Sequence, residues 1–443
     1  MKFLRKLAYS SGAVATALSY QAFTTYVIFF YVDGLKFPPY LAAIAILIYG
    51  IWNAINDPLM GYISDHTHSR WGRRVPYIAF GAIPFGLAYF LIWVPPFDSI
   101  NQLGLLFTYF VLALCLFDGI YTMTVLNWAA LFPEMFTTLK ERSLVNALRQ
   151  SFGMLGLVLG IALPPIIYST WGWGWMGAIF GAIASIALLI TLWGCREHME
   201  YSREKQLPLF ASFKATLNNR SFLTFVFANF FIQYAFALML VTVPFFAKYV
   251  LQESAQGTAA VVAIAFLTAL PTLYLWEHAT IKLGAKWTFI ASVFSMAIAL
   301  FPLFFIQTLG GALCAAFLIG IGLSGFILVA DILLSDVIDE DEVATGTRRE
   351  GLYFGASAFI TRFAIALEAI SLGLVFTMTG YNPYVYTQTR DFVGGLRFLI
   401  AALPMVALVF AFVLIWFYPL AGKKLEEVKS KLKELHTQKG TLE

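Results

Sequence analysis

The sequence is built from successive apolar runs, each near the ~20 residues that an α-helix needs to cross a bilayer. Hydrophobic residues make up 60% of the chain and charged residues only 12%, so one or two soluble cores are too small to bury this apolar surface. We therefore expect an all-α membrane protein with the lipid bilayer as its solvent. The runs and their breaks predict twelve spans, near residues 9–32, 40–64, 75–95, 102–131, 144–168, 172–194, 221–250, 257–281, 286–306, 310–335, 351–379 and 391–418.

One polar, charged stretch divides these runs into two sets of six. A faint internal repeat supports the division, since SDHTHSRWGRRV after the second run and WEHATIKLGAKW after the eighth both combine Gly with nearby cations. Paired halves of this kind are found in many secondary transporters. The predicted units are an N-terminal six-helix bundle at 1–194, a cytoplasmic linker at 195–220, a C-terminal six-helix bundle at 221–418 and a cytoplasmic tail at 419–443.

The tail carries four apolar residues on one helical stripe, at Leu425, Val428, Leu432 and Leu435. This spacing predicts a short helix that is solvated or lies among lipid headgroups. A helix that binds a partner is the alternative interpretation.

Lys and Arg alternate in number from one loop to the next, and this sets the predicted orientation. The N-terminus, the loop after the second run, the central linker and the tail are rich in cations, whereas the intervening loops hold isolated ones such as Lys36, Lys248 and Arg390. The positive-inside rule then places both termini in the cytoplasm of a bacterial-type inner membrane or a plasma membrane.

Several classes of protein do not fit the sequence. The net charge of +4 comes from loops next to hydrophobic runs rather than from a phosphate-binding surface, so no nucleic-acid partner is expected. Three cysteines indicate neither a disulfide framework nor a thiolate metal site. The five histidines form no zinc pattern and no Walker A motif occurs, so we expect no enzyme activity and no cofactor.

A carboxylate interrupts the second apolar run at Asp57, one helical turn after Asn53. A charged side chain near the bilayer centre costs roughly 2.5–3.5 kcal/mol on insertion scales, so Asp57 needs a partner or a function. Because residues four apart share a helical face, the two side chains could hold one hard cation or take part in a proton relay. An Arg paired with Asp57 only to join helices is the alternative.

Two guanidinium groups also lie within predicted spans, at Arg149 and Arg362. Each needs a carboxylate, a carbonyl cluster or an anionic solute. The acids that could answer, as structural partners or as ligands, are Asp57, Asp118, Asp331 and Glu368. Further candidate substrate contacts are Trp128, Asn127 and Tyr20, although amides and aromatic residues in membrane helices more often bridge helices than bind a ligand.

Three segments resemble signature sequences of the glycoside-pentoside-hexuronide:cation symporters, a melibiose-permease-like branch of the major facilitator superfamily. They are NDPLMGYISDHTHSRWGRR, LNWAALFPEMFTTLKERSLVNALRQSFGMLG and SDVIDEDEVATGTRREGLYFG. Sodium-dependent lysophospholipid symporters of animals are similar to the same branch. The resemblance implies the major facilitator fold, with about twelve helices in two pseudo-symmetric six-helix bundles.

The resemblance also implies roles for individual residues. Asp57 matches the second of two aspartates that bind the coupling Na⁺, Li⁺ or H⁺, and Asn53 stands where the first is usually Asp. One carboxylate fewer weakens a sodium site, so Na⁺ coupling, H⁺ coupling and uncoupled transport all stay open. Arg149 and Arg362 match cations that line the cavity. Ala17 and Thr124 stand where the family has sugar-binding aspartates, which puts galactoside specificity in doubt.

Charged residues beside the second and tenth runs resemble the loop motif of the superfamily and its counterpart in the second half. Opposite charges on loops of both halves would close the cytoplasmic side when the central site faces outward. The cations alone could instead reflect only membrane topology. The predicted gate comprises Asp65, Arg70, Arg73, Arg74, Asp336, Asp339, Arg348, Arg349 and Glu350.

These observations predict a secondary active transporter, functional as a monomer, that moves a small organic solute of the sugar or glycoside class together with Na⁺ or H⁺. Beyond a Na⁺ at Asp57, no metal is expected. A lysophospholipid or other amphiphile symporter is the alternative within transport, because the chain has 43 Phe residues and lacks the sugar-binding aspartates. A membrane receptor or scaffold is the alternative outside transport.

Overall fold

The computed structural model describes residues 3–67, 69–136, 139–196, 216–346, 349–385 and 387–440. Every regular element in these ranges is helical. A π-helical turn, Phe30–Gly34, extends the first spanning helix. The helices of the first half are α1 (Phe3–Ser10), α2 (Gly12–Phe29), α3 (Pro39–Asp65), α4 (Val75–Ile92), α5 (Leu103–Met135), α6 (Leu139–Trp171) and α7 (Trp173–Gly194).

The second half repeats the pattern of long helices joined by short connections. Its helices are α8 (Arg220–Tyr249), α9 (Ala255–Leu283), α10 (Ala285–Leu300), α11 (Leu309–Thr345), α12 (Glu350–Met378), α13 (Arg390–Arg397), α14 (Leu403–Trp416) and α15 (Lys423–Gly440). Within the described residues, 12 helical segments are long and apolar enough to cross a membrane. The predicted number of spans is therefore confirmed.

The tenth span is longer than predicted, because α11 continues from the expected end at residue 335 to Thr345. Val337 and Ile338 in this extension are 0% and 1% exposed, so packing holds the segment in a helix although its other residues are mostly acidic. Gly346 then ends the helix with a left-handed φ of 72°, which glycine adopts without strain.

The tail forms a helix as its apolar stripe predicts, and this helix packs on the end of α11. Lys424 Nζ lies 2.8 Å from Glu340 Oε1, and Lys429 Nζ lies 3.5 Å from Asp336 Oδ1. Val428 is 8% exposed. The acidic end of α11 and the basic tail therefore form one charged unit within the second half.

An even number of spans puts both termini on one side of the membrane, here called the terminal face; the other side is the opposite face. The halves contact each other through α3 with α12, α2 with α8 and α6 with α9. The predicted linker lies mainly outside the described residues, since 197–215 are not among them. The unit boundaries at 194, 220 and 418 stay predictions.

Helices within a half approach closely where both lack a side chain. A Cβ added to Gly86 in α4 would lie 2.4 Å from the carbonyl oxygen of Gly181 in α7, and one added to Gly181 would lie 2.5 Å from the oxygen of Gly86. Small residues at such crossings let backbones pack where no hydrophobic effect drives helices together in lipid.

Candidate functional site

An ion pair between the halves joins the last third of α3 to the middle of α12. Arg362 Nη2 donates to Asp57 Oδ2, and Arg362 Nη1 donates to the carbonyl oxygen of Asn53 at 3.2 Å. The two side chains are only partly shielded, at 31% and 25% exposure. Asp57 thus has the Arg partner that the sequence left as one of two explanations, and the pair joins the two halves rather than two helices of one half.

Asp118, in α5, is the second carboxylate at this place. It is 2% exposed and accepts hydrogen bonds from Asn53 Nδ2 at 2.6 Å and Asn56 Nδ2 at 3.1 Å. Thr122, one turn further along α5, donates to Asp57 Oδ1 at 2.8 Å. Asn53 therefore contacts Asp118 through its side chain, whereas the sequence suggested only that it shares a face with Asp57.

A cavity of about 240 Å³ opens beside Arg362, between the two halves. Gln21 in α2 and Gln233 in α8 line it from opposite halves, and neither side-chain amide bonds to another described residue. The wall contains both polar and apolar side chains. The complete lining is Tyr20, Gln21, Thr24, Gln233, Phe236, Ala237, Leu240, Thr361, Arg362, Ala364, Ile365 and Glu368.

Glu368 supplies a carboxylate to this cavity. Its side chain is 5% exposed and makes no hydrogen bond or ion pair with any described residue. A buried carboxylate without a partner is costly in a membrane protein and marks a place where a ligand or a proton binds. The sequence predicted a charge partner for Glu368, and none is found within the described residues.

Other predicted substrate contacts lie outside the lining of this cavity. Trp128 is 4% exposed; its Nε1 donates to the carbonyl oxygen of Tyr9 at 2.9 Å, and the Tyr9 hydroxyl donates to the Trp128 carbonyl oxygen at 2.8 Å. Asn127 donates to the Met123 carbonyl oxygen, and Thr124 to that of Ile120. Trp128 therefore joins α5 to α1, whereas the bonds of Asn127 and Thr124 stay within α5.

Arg149 also lies outside the cavity lining. Its guanidinium stacks on Trp128, 4.4 Å from the ring centroid, and on Phe132 at 4.9 Å. Two aromatic faces therefore attract the Arg149 charge, in place of the carboxylate, carbonyl cluster or anionic solute predicted from the sequence. Of the predicted substrate contacts, Tyr20 and Arg362 line the cavity.

Asp331 differs from the expected buried partner. Its side chain is exposed and forms no ion pair with a described residue. Within the described residues, no group of three or more His, Cys, Asp or Glu is arranged to hold a metal ion. Around Asp57 and Asp118 the polar groups are carboxylate, amide and hydroxyl groups, from Asn53, Asn56 and Thr122.

A second connection between the halves lies at the opposite face. Asp33, in the π-helical turn after α2, is 5% exposed and pairs with Lys248 Nζ at 2.6 Å. The hydroxyl of Tyr249 donates to Asp33 Oδ1, and that of Tyr381 donates to it at 2.9 Å. Burial, together with the nearby Asp33 charge, raises the pKa of Tyr381, so this phenol stays a donor at neutral pH.

We call these four residues the opposite-face latch. The sequence alone does not predict it, because Lys248 reads there as an isolated loop cation. The acidic Asp33 at the end of the first apolar run was the available signal. Phe29 and Phe245 pack edge to face beside the latch, with centroids 5.0 Å apart.

Two ion pairs of predicted gate residues at the terminal face lie within the second half. Arg349 forms an ion pair with Asp341, which raises the pKa of Arg349, and Asp336 faces Lys429 of the tail. Arg70 lies over Trp71, and Arg74 is buried. Arg73 and Asp339 are half-buried, whereas Arg70 and Glu350 are exposed. Arg348 and the side chain of Asp65 lie outside the described residues.

Comparison with known proteins gives a consistent assignment. The family model described as MFS/sugar transport protein matches residues 8–422. The isoprimeverose transporter of Lactiplantibacillus pentosus is 24% identical, over 99% of this chain and 92% of that protein. The sodium-dependent lysophosphatidylcholine symporter 1 of Mus musculus is 25% identical, over 99% of this chain and 89% of that protein.

The fold also resembles that of solved transporter structures. The crystal structure of a D-xylose-proton symporter matches with a TM-score of 0.69 at 16% identity, over 94% of this chain and 97% of that one. This likeness shows the major facilitator fold. Together with the family match along nearly the whole chain, it shows that this multi-pass membrane protein is a transporter that belongs to the MFS/sugar transport family, in its glycoside-pentoside-hexuronide:cation symporter branch.

Proposed function

We propose that this protein is a secondary active symporter that couples the movement of Na⁺ or H⁺ to that of a small organic solute of the sugar or glycoside class. The observation that carries the proposal is the Asp57–Arg362 ion pair, which bridges the two halves and places the same Arg362 in the wall of the cavity. The protein acts as a monomer, with its terminal face in the cytoplasm.

Cation and solute movement are coupled because the cation or proton competes with Arg362 for Asp57. A cation or proton at Asp57, assisted by Asn53, weakens the attraction of Asp57 for Arg362, whose guanidinium keeps its charge. Arg362 is then available to a solute in the cavity. Cation and solute therefore favour the same arrangement of the halves, which is the condition for one ligand to shift the equilibrium of the other.

The polar wall favours a hydroxyl-rich solute. Gln21 and Gln233 offer donors and acceptors from both halves, and Glu368 accepts hydrogen bonds from hydroxyl groups. The cavity volume of about 240 Å³ lies just below the usual range for small-molecule sites. A long acyl chain finds too little room between these side chains.

A lysophospholipid is the second candidate solute, favoured by the relationship to the lysophosphatidylcholine symporter of Mus musculus. In that case the headgroup occupies the cavity and the acyl chain extends between helices towards lipid. A solute bound to the native state stabilises it, so a thermal-shift panel of sugars, glycosides and lysophospholipids separates the two classes.

Alternation between faces uses both charged regions. The opposite-face latch joins the two halves on one side, and we propose that it holds this side closed. We propose that the terminal-face charges, including Asp65, Arg70, Arg73, Arg74, Asp336, Asp339, Arg348, Arg349 and Glu350, close the other side when the latch opens.

Proteoliposomes test the proposal. They are loaded with buffer, placed in a mixed metabolite pool, and given a sodium gradient or a proton gradient separately. We expect one solute to accumulate above its equilibrium level with one of the gradients. Equilibration without accumulation under either gradient would contradict coupling.

A further inference from the structure

We propose that Asp118 is a ligand of the coupling cation and supplies the second carboxylate of a sodium site that it forms with Asp57, Asn53 and Thr122. This inference rests on the proposed symport and adds a residue and an ion to it. The juxtaposition that carries it is a reciprocal arrangement of two helical faces.

Each of the two helices presents one carboxylate and one neutral oxygen, four residues apart. On α3 the order is Asn53 then Asp57, and on α5 it is Asp118 then Thr122. Asn53 meets Asp118 at 2.6 Å and Thr122 meets Asp57 at 2.8 Å. The carboxylates thus occupy diagonal corners and the neutral groups the other two. A cation between the helices has oxygen ligands on all four sides once the Asn53 amide turns its Oδ1 inward.

One monovalent cation would balance the charges of this cluster. The diagonal carboxylates contribute −2 in total, and Arg362, which pairs with Asp57, contributes +1. Asp118 receives hydrogen bonds from the amides of Asn53 and Asn56 but forms no ion pair with any described residue. The cluster therefore has one negative charge in excess, on a side chain that is 2% exposed. A buried charge of this kind is costly unless a counter-ion or a proton compensates it, and we propose that Na⁺ is this counter-ion.

Oxygen chemistry favours Na⁺ over a softer ion. Carboxylate, amide and hydroxyl oxygens are hard ligands, and His or Cys is absent from the four corners. Other titratable groups surround the cluster, namely Tyr20, Tyr49 and Tyr121 near Asp118, Cys115 one turn before it, and Glu368 in the cavity wall. None of them forms a hydrogen bond with Asp118.

A purely structural role for Asp118 makes a different prediction. Two amide groups bonded to a carboxylate could join α3 to α5 without any ion. An Asn at position 118 keeps the shape and an acceptor oxygen, so it preserves the helix contact and removes only the charge. The variant Asp118→Asn therefore separates a charge requirement from a packing requirement.

The experiment measures the melting temperature of the purified full-length protein as NaCl replaces choline chloride at constant ionic strength. We expect Na⁺ to stabilise the wild-type protein and Asp118→Asn to need at least ~10-fold more Na⁺ for the same shift. The double variant Asn53→Asp/Asp118→Asn, which moves the carboxylate across the site, is expected to recover most of the response. Asp331→Asn, the same change on an exposed carboxylate, should respond like wild type.

A sodium response in Asp118→Asn equal to that of wild type would overturn the inference, and so would a double variant as weak as the single one. A wild-type protein that shows no sodium response also overturns it, while uptake driven by a proton gradient would leave the proposed symport intact. The expected sodium pattern without gradient-driven uptake would instead support the site and contradict the symport.

Discussion

Arg362 makes both of its described hydrogen bonds to the other half of the protein. It reaches the Asp57 carboxylate and the backbone carbonyl oxygen of Asn53 on α3. A guanidinium presents several donors in a fixed plane, so one side chain can donate to two acceptors at once. This residue therefore connects the proposed cation site, the proposed solute cavity and the contact between the halves.

Unlike Arg362, Glu368 lines the cavity without a hydrogen-bond or ion-pair partner among the described residues. Replacing it by Gln removes a buried ionisable group and keeps the shape, so Glu368→Gln should melt at the same temperature as wild type or higher. A hydrogen bond contributes about 0.5–1.5 kcal/mol, so the half-saturation concentration for a hydroxyl-rich solute should rise ~2- to 10-fold.

The measurement is concentration-dependent uptake of the solute found in the proteoliposome screen, together with the melting temperature. Asp331→Asn again serves as the matched loss of a carboxylate outside the cavity. An unchanged half-saturation concentration in Glu368→Gln would remove Glu368 from the solute site.

At the scale of helices, the π-helical turn at Phe30–Gly34 determines where the opposite-face latch forms. It continues α2 past the apolar run and turns Asp33 towards Lys248 and Tyr249 at the end of α8. Because Asp33 is nearly fully buried, its ion pair and two phenol hydrogen bonds are interdependent.

Breaking the latch should favour the state that opens at the opposite face. Asp33→Asn leaves Lys248 partly buried without its counter-charge, which destabilises the closed arrangement. We expect faster reaction of a cysteine introduced at Gln21, in a background without Cys115, Cys195 and Cys314, with a membrane-impermeant thiol reagent added at the opposite face.

Reversal of the pair, Asp33→Lys with Lys248→Asp, should restore much of the slow reaction if the charge pair is responsible. Arg390→Gln, which removes an exposed cation from the same face, is the control. Equal labelling rates in Asp33→Asn and wild type would show that the latch does not hold this face closed.

Across the whole molecule, the sequence predicts most of the architecture because apolar length is a local property. Twelve spans follow from runs that each must cross the same hydrocarbon thickness. The extension of α11 to Thr345 was not predicted, because its acidic segment is a helix outside the apolar run and is held there by the packing of Val337 and Ile338.

Only the part of the candidate site that depends on local sequence can be predicted. Asp57 and Arg362 stand out in the sequence as charges within apolar runs, but their pairing depends on how α3 and α12 meet. The contact of Asn53 with Asp118 likewise depends on the register of α3 against α5, which no local pattern encodes. Trp128 and Arg149 resemble cavity residues in sequence, yet stack with each other away from the cavity.

In the proposed alternating-access cycle, the cation, the solute and the two faces all act on one contact between the halves. The central proposal is that Asp57 transmits the ion gradient to the solute. The direct test compares wild type and Asp57→Asn in two assays, gradient-driven accumulation and solute exchange at equal concentrations without a gradient.

We predict that Asp57→Asn abolishes accumulation above equilibrium while exchange continues, because Asn removes the charge that the cation neutralises but leaves the cavity in place. Asp331→Asn should behave like wild type in both assays. Undiminished accumulation in Asp57→Asn under the coupling gradient would contradict the account.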